Sequence, residues 1–131
     1  MERQPGRRSS VAPRRQAMPK QLAAQGIVVP RPGEVNAYLR QHAELAELVL
    51  LLCAECRREF GNATELSLEV YRDPEINDSY LTLYVRQPTY STDLLPRIHR
   101  VAEAFAKDLA RTSGHILITT DFHAPRNPHD L

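Results

Sequence analysis

Glycine is scarce in this chain, and the five that occur, Gly6, Gly26, Gly33, Gly61 and Gly114, never cluster. There is therefore no G-x-G-x-x-G dinucleotide loop, no phosphate-cradling P-loop and no G-x-S-x-G nucleophile elbow. The G-x-x-G clamp by which KH domains hold a nucleic-acid backbone is missing too. Lysine is scarcer still: Lys20 and Lys107 stand alone, and neither follows an acidic residue at the spacing of a carboxylate–lysine nuclease. The longest apolar run, Leu48 to Ala54, falls far short of the roughly 18 residues that span a bilayer. No apolar segment of the kind found in secretory signals follows Arg7, Arg8, Arg14 and Arg15. The expectation is a cytoplasmic protein with no membrane partner and no cofactor.

Two cysteines, Cys53 and Cys56, are too few and too close to staple a secreted domain. Their C-x-x-C spacing falls inside a helical pattern, whereas a redox pair uses the exposed first turn of a helix and a zinc site needs two further ligands. Core packing is the expected role. The histidines His42, His99, His115, His123 and His129 include no pair at the i, i+4 spacing of a helical metal site. Between Asp73 and Asp78 the acidic residues begin like a calcium loop, but Asp78 stands where an EF-hand needs glycine and Tyr84 where it needs glutamate. That segment is read as a turn, and no metal is assigned.

With 131 residues, 42% of them hydrophobic and 25% charged, the chain fits one globular domain. Its formal charge of +1 hides an asymmetry. Residues 1–25 hold Arg3, Arg7, Arg8, Arg14, Arg15 and Lys20 against Glu2 alone, a net of +5, so the remainder carries −4. An acidic folded part argues against nucleic acid as its partner, because phosphate binding needs clustered cations.

Residues 1–33 contain five of the ten prolines and no sustained periodicity, which predicts a disordered arm. Met18, followed by Pro19 and Lys20, is a second candidate start. Residues 34–122 are expected to form the domain and residues 123–131 an extended tail. From Glu34 to Phe60, apolar residues including Val35, Leu39, Leu45, Leu48, Val49, Leu52, Cys56 and Phe60 recur at helical spacing, with a break allowed near Gln41 to Glu44 and a stop at Gly61. A second helix is expected to begin at the N-cap Asp93, since Pro96 is tolerated only in a first turn. Leu94, Ile98, Val101, Phe105 and Leu109 form its stripe, and Gly114 suits a left-handed terminus.

Glu65 to Gln87 reads as a β-hairpin. Leu66, Leu68 and Val70 share one face with Leu81, Leu83 and Val85, while Glu69, Tyr71, Tyr80, Thr82, Tyr84 and Arg86 share the other. His115 to Phe122 is a third strand, with Ile116 and Ile118 facing the core and Leu117, Thr119 and Asp121 facing away. The expected fold is thus an α+β two-layer sandwich in the order α-β-β-α-β: a three-stranded sheet with both helices on one face. The strand order 2-1-3 is favoured because every ladder is then antiparallel; 1-2-3 stays open.

The leading functional expectation is a non-catalytic protein-interaction module, either a homodimer or an accessory subunit. Its working surface is the uncovered sheet face, comprising Glu69, Tyr71, Tyr80, Thr82, Tyr84, Arg86 and Leu117, where tyrosines offer apolar area with a hydrogen-bonding tip. One alternative is a small enzyme or ligand-binding domain using Glu69, Asp121 and nearby tyrosines, because two carboxylates can share acid–base work when their pKa values are driven apart. Another is weak nucleic-acid binding through the basic arm. No catalytic residue is assigned.

Overall fold

The alternation of the hairpin segment has the expected result: two nine-residue strands pair antiparallel in register, Leu66 opposite Val85, Leu68 opposite Leu83 and Val70 opposite Leu81. The computed structural model describes residues 18, 20–75 and 77–125. Its elements run α1 (residues 20–24), β1 (Ile27–Val28), α2 (Pro32–Gln41), α3 (Ala43–Phe60), β2 (Glu65–Asp73), β3 (Asp78–Arg86), α4 (Leu94–Leu109) and β4 (Ile116–Thr119). The class is α+β, with a mixed four-stranded sheet in the order β1-β2-β3-β4.

Two expectations about the sheet are corrected. It has four strands rather than three, and β4 lies parallel beside β3, the 1-2-3 placement left open rather than the favoured 2-1-3; the described helices likewise number four, not two. The reason is occupancy: β1 pairs parallel with β2, Ile27 opposite Leu66 and Val28 opposite Ser67, and takes the edge that the 2-1-3 order reserved for the last strand. A two-residue strand gives almost no periodic signal, so the competitor for that edge was invisible in the sequence.

The start of the fold is corrected with it. Met18, Leu22 and Ile27 are buried in the core, so the packed region already includes residues that were expected to belong to a disordered arm ending at residue 33. Residues 1–17 and 126–131 lie outside the described residues, and with them most of that arm and of the expected tail.

Arg57 explains how the early segment is held. Its guanidinium donates to the carbonyls of Gln25 (3.0 Å), Gly26 (3.0 Å), Gly61 (2.8 Å) and Thr64 (2.6 Å), fastening the turn between α1 and β1 to the end of α3 and the approach to β2. Gly26 has φ of 75°, and a Cβ there would come within 3.3 Å of the guanidinium, so both conformation and space call for glycine. Arg57→Met keeps the aliphatic stem but strands carbonyls that it had satisfied; the expected loss is about 2–4 kcal/mol in urea unfolding. Amides of β1 should lose hydrogen-exchange protection first, and a stability within about 0.5 kcal/mol of wild type would show that the clamp carries no weight.

The helical pattern breaks where its apolar residues thin out, at His42, whose φ of −128° and ψ of 64° separate α2 from α3. The His42 ring is held by Ser113 at 2.8 Å and packs on Tyr38. Gly61, at φ 85°, ends α3 as expected. Asp93 precedes α4, although its side chain caps no backbone N–H. Gly114 does not take the left-handed terminus assigned to it; it is needed because a Cβ would lie 2.9 Å from both His42 and Leu45. α2, α3 and α4 bury one apolar cluster against Leu66, Leu68, Leu81, Leu83, Val85, Ile116 and Ile118. Within it Val49 and Cys53 are buried as expected, whereas Leu48 is only half-buried and outside the cluster, and Phe105 is only partly buried.

Candidate functional site

Because the helices cover one face of the sheet, the register lays out the other in rows. Across β1 to β4 these run Val28, Ser67, Tyr84 and Thr119; then Glu69, Thr82 and Leu117; then Tyr71 and Tyr80. Glu65 lies opposite Arg86 at one end, and Asp73 opposite Asp78 at the other. All seven residues proposed from sequence as an interaction face are therefore on one side of the sheet, centred on β3 rather than on β2.

They differ sharply in access. Tyr71 and Leu117 are 42% and 40% exposed, and Val28, which the sequence reading did not single out, is 36% exposed. Thr82 and Arg86 are buried. The tyrosines continue as a stack: the Tyr71 and Tyr80 rings lie 5.3 Å apart, and the Tyr80 ring meets His115 edge-on at 5.7 Å.

Arg86 organises the other end of the face. It donates to Glu65 (2.7 Å) and through two nitrogens to Asp121 (3.1 and 2.9 Å), with Glu69 at 3.8 Å. Its guanidinium carbon lies 4.9 Å from the centre of the Tyr84 ring. Glu69 also accepts from the Ser67 hydroxyl at 2.9 Å. Burial and then the Glu69 and Asp121 carboxylates push the Tyr84 phenol above its ordinary value. The Arg86 hydrogen bonds hold Asp121 well below the usual carboxylate range, at about 2.

That ion pairing bears on the proton chemistry weighed for Glu69 and Asp121. A general acid near neutrality needs a raised pKa, and Arg86 drives Asp121 the opposite way. Its consequence is for stability. The unfolded carboxyl titrates near 4 and the folded one near 2, so stability from this pair is complete above about pH 4 and is lost as the pH falls through about 2. Asp121→Asn should remove about 1–2 kcal/mol at pH 7 but much less at pH 2, after allowance for the partial exposure of the carboxylate. An equal loss at both pH values would show that the pair contributes no pH dependence.

Other candidates contribute little chemistry. Cys53 and Cys56 are buried, and burial raises both thiols, Cys56 to about 12, so thiolates are suppressed at neutral pH. Among the described residues no group of histidines, cysteines and carboxylates is placed to hold a metal, and no helix is long and apolar enough to cross a membrane. An open cleft of about 510 Å³ beside β1 is lined by Gln25, Val28, Arg57, Thr64 and Glu65. Its charged groups are already engaged, Arg57 with four carbonyls and Glu65 with Arg86. Comparison of the chain with family models, with curated proteins and with solved structures finds no match.

Proposed function

We propose that the protein is a non-catalytic interaction module whose working surface is the uncovered sheet face. The observation that carries this reading is that exposed apolar side chains stand on three strands of this one face: Val28, Tyr71 and Leu117. Exposed apolar side chains interleaved with polar groups on one sheet face are what partner binding uses. Rigid tyrosines on paired strands add contact area at low entropic cost.

The clean probes are Leu117→Glu and Tyr71→Glu, which place a carboxylate in the contact while leaving the core untouched. Tyr84→Glu is less informative, because its new charge would crowd Glu69 and Asp121 around Arg86 and disturb the fold. A random peptide library displayed against wild type and against each variant, with sedimentation for self-association and circular dichroism for folding, tests the reading. Wild type should retain a family of sequences, or associate with itself, and folded variants should lose that behaviour. A monomeric wild type that retains no sequence, or variants that retain all that wild type does, would remove the proposal.

A further inference from the structure

The uncovered face carries charge of one sign as well as apolar area. The hairpin register puts Glu65, Glu69 and Asp73 of β2 and Asp78 of β3 on the side of the tyrosines, and Asp121 joins them through Arg86. Among the described strand residues and Asp121, five carboxylates thus share this side with one guanidinium. Arg86 is 7% exposed, and its guanidinium is already hydrogen-bonded to Glu65 and Asp121. The strands bring no further arginine or lysine to this side: β1 adds Val28, β4 adds Leu117 and Thr119, and Arg72, opposite Ser79, belongs to the other side. Beside it, among the described residues, stand His115 against Tyr80, His123 at 3.3 Å from Asp121, and at the β1 end Arg57, which lines the cleft with Val28 and Glu65 and is engaged by backbone carbonyls.

A second observation is independent of the charge. Thr82 stands directly opposite Glu69, between Tyr80 and Tyr84 along β3 and beside Leu117 of β4. It is 2% exposed, and its hydroxyl has no hydrogen-bond partner. A buried hydroxyl left unpaired is unfavourable, and most such groups have a partner in the working state of a protein. The polar environment beside it is the Glu69 carboxylate.

Resting on the interaction reading above, we propose that this face binds a cationic segment of a partner protein, arginine in preference to lysine. Glu69 and the Thr82 hydroxyl oxygen accept hydrogen bonds from the guanidinium, and the Tyr71 and Tyr80 rings receive its flat face. Each part is suited to that group: carboxylates take the charge with directional hydrogen bonds, and aromatic faces attract guanidinium more readily than they attract a strongly hydrated ammonium. Leu117 and Val28 then contact the apolar neighbours of the cation.

The test uses the full chain and three dye-labelled peptides, alternating Arg-Gly, Lys-Gly and Glu-Gly, followed by fluorescence anisotropy. The arginine peptide should bind more than about tenfold tighter than the glutamate peptide, and weaken severalfold when salt shortens the screening length. Lysine should fall between them. Glu69→Gln should weaken the arginine peptide about tenfold, an expectation scaled to one charged hydrogen bond. Because Glu69 also helps to hold Arg86, the pair Asp73→Asn and Asp78→Asn at the exposed hairpin end serves as a second variant; it should weaken binding about threefold without touching the hub. Equal binding of arginine and glutamate peptides, or binding unchanged in both variants, would overturn the proposal. If that happened while library sequences were still lost on Leu117→Glu, the interaction reading would stand and its cationic partner would fall.

Discussion

Arg86→Met is expected to cost about 3–5 kcal/mol, a large share of the stability of a domain this size. The cause is the charge left behind. Glu65, whose side chain is 6% exposed, has Arg86 at 2.7 Å, and methionine would take that cation away from a buried carboxylate. Asp121 and Glu69 would be left facing each other without the cation between them. Urea unfolding of Arg86→Met and of Arg86→Met with Glu65→Gln separates the causes: if the stranded carboxylate dominates, the second change should restore part of the loss. A single variant within about 1 kcal/mol of wild type would mean that water already compensates these charges, and that the hub does not hold the open face together.

Leu52→Ala is expected to cost a similar amount, about 2–5 kcal/mol, because Leu52 is completely buried between α3 and the sheet and its removal leaves a cavity that close-packed neighbours fill poorly. Phe105→Ala provides the contrast. From its place on the stripe of α4 it reads as a core anchor, but it packs only partly buried at the margin of the cluster, so the expected cost falls to about 1–2 kcal/mol. Parallel urea titrations would reverse this assignment if Phe105→Ala proved the more damaging of the two.

The contrast between Leu52 and Phe105 shows what a periodic pattern can and cannot carry. Spacing identifies the face that a side chain occupies; how deeply that face is covered depends on neighbours far away in sequence. For the same reason Leu48 read as core alongside Val49, although of the two only Val49 is buried. Arg57 looked like an ordinary polar position, and Arg86 was placed on the open face only as one of its polar residues. Nothing in their neighbourhood announced that one would fasten four backbone carbonyls and the other would sit beside three carboxylates. Gly114 was recognised as necessary for the wrong reason: the demand comes from His42 and Leu45 packing against it, not from its own backbone angle.

By itself the sequence determined the local elements: the two-residue periodicity of the hairpin, the helical stripes, the interruption at His42, the stop at Gly61, and the side of the sheet on which Tyr71, Tyr84 and Leu117 would stand. These follow from rules that act within a few residues, namely side-chain alternation, helical spacing and backbone preference. Tertiary structure alone decided which strands would flank the hairpin. β1, two residues long, takes the outer edge of β2 and leaves β4 to pair with β3, and the candidate surface is centred on β3 in consequence. Pairing is a competition among distant segments for the same backbone hydrogen bonds, and its winner depends on what the chain between them can bury, which no local window contains.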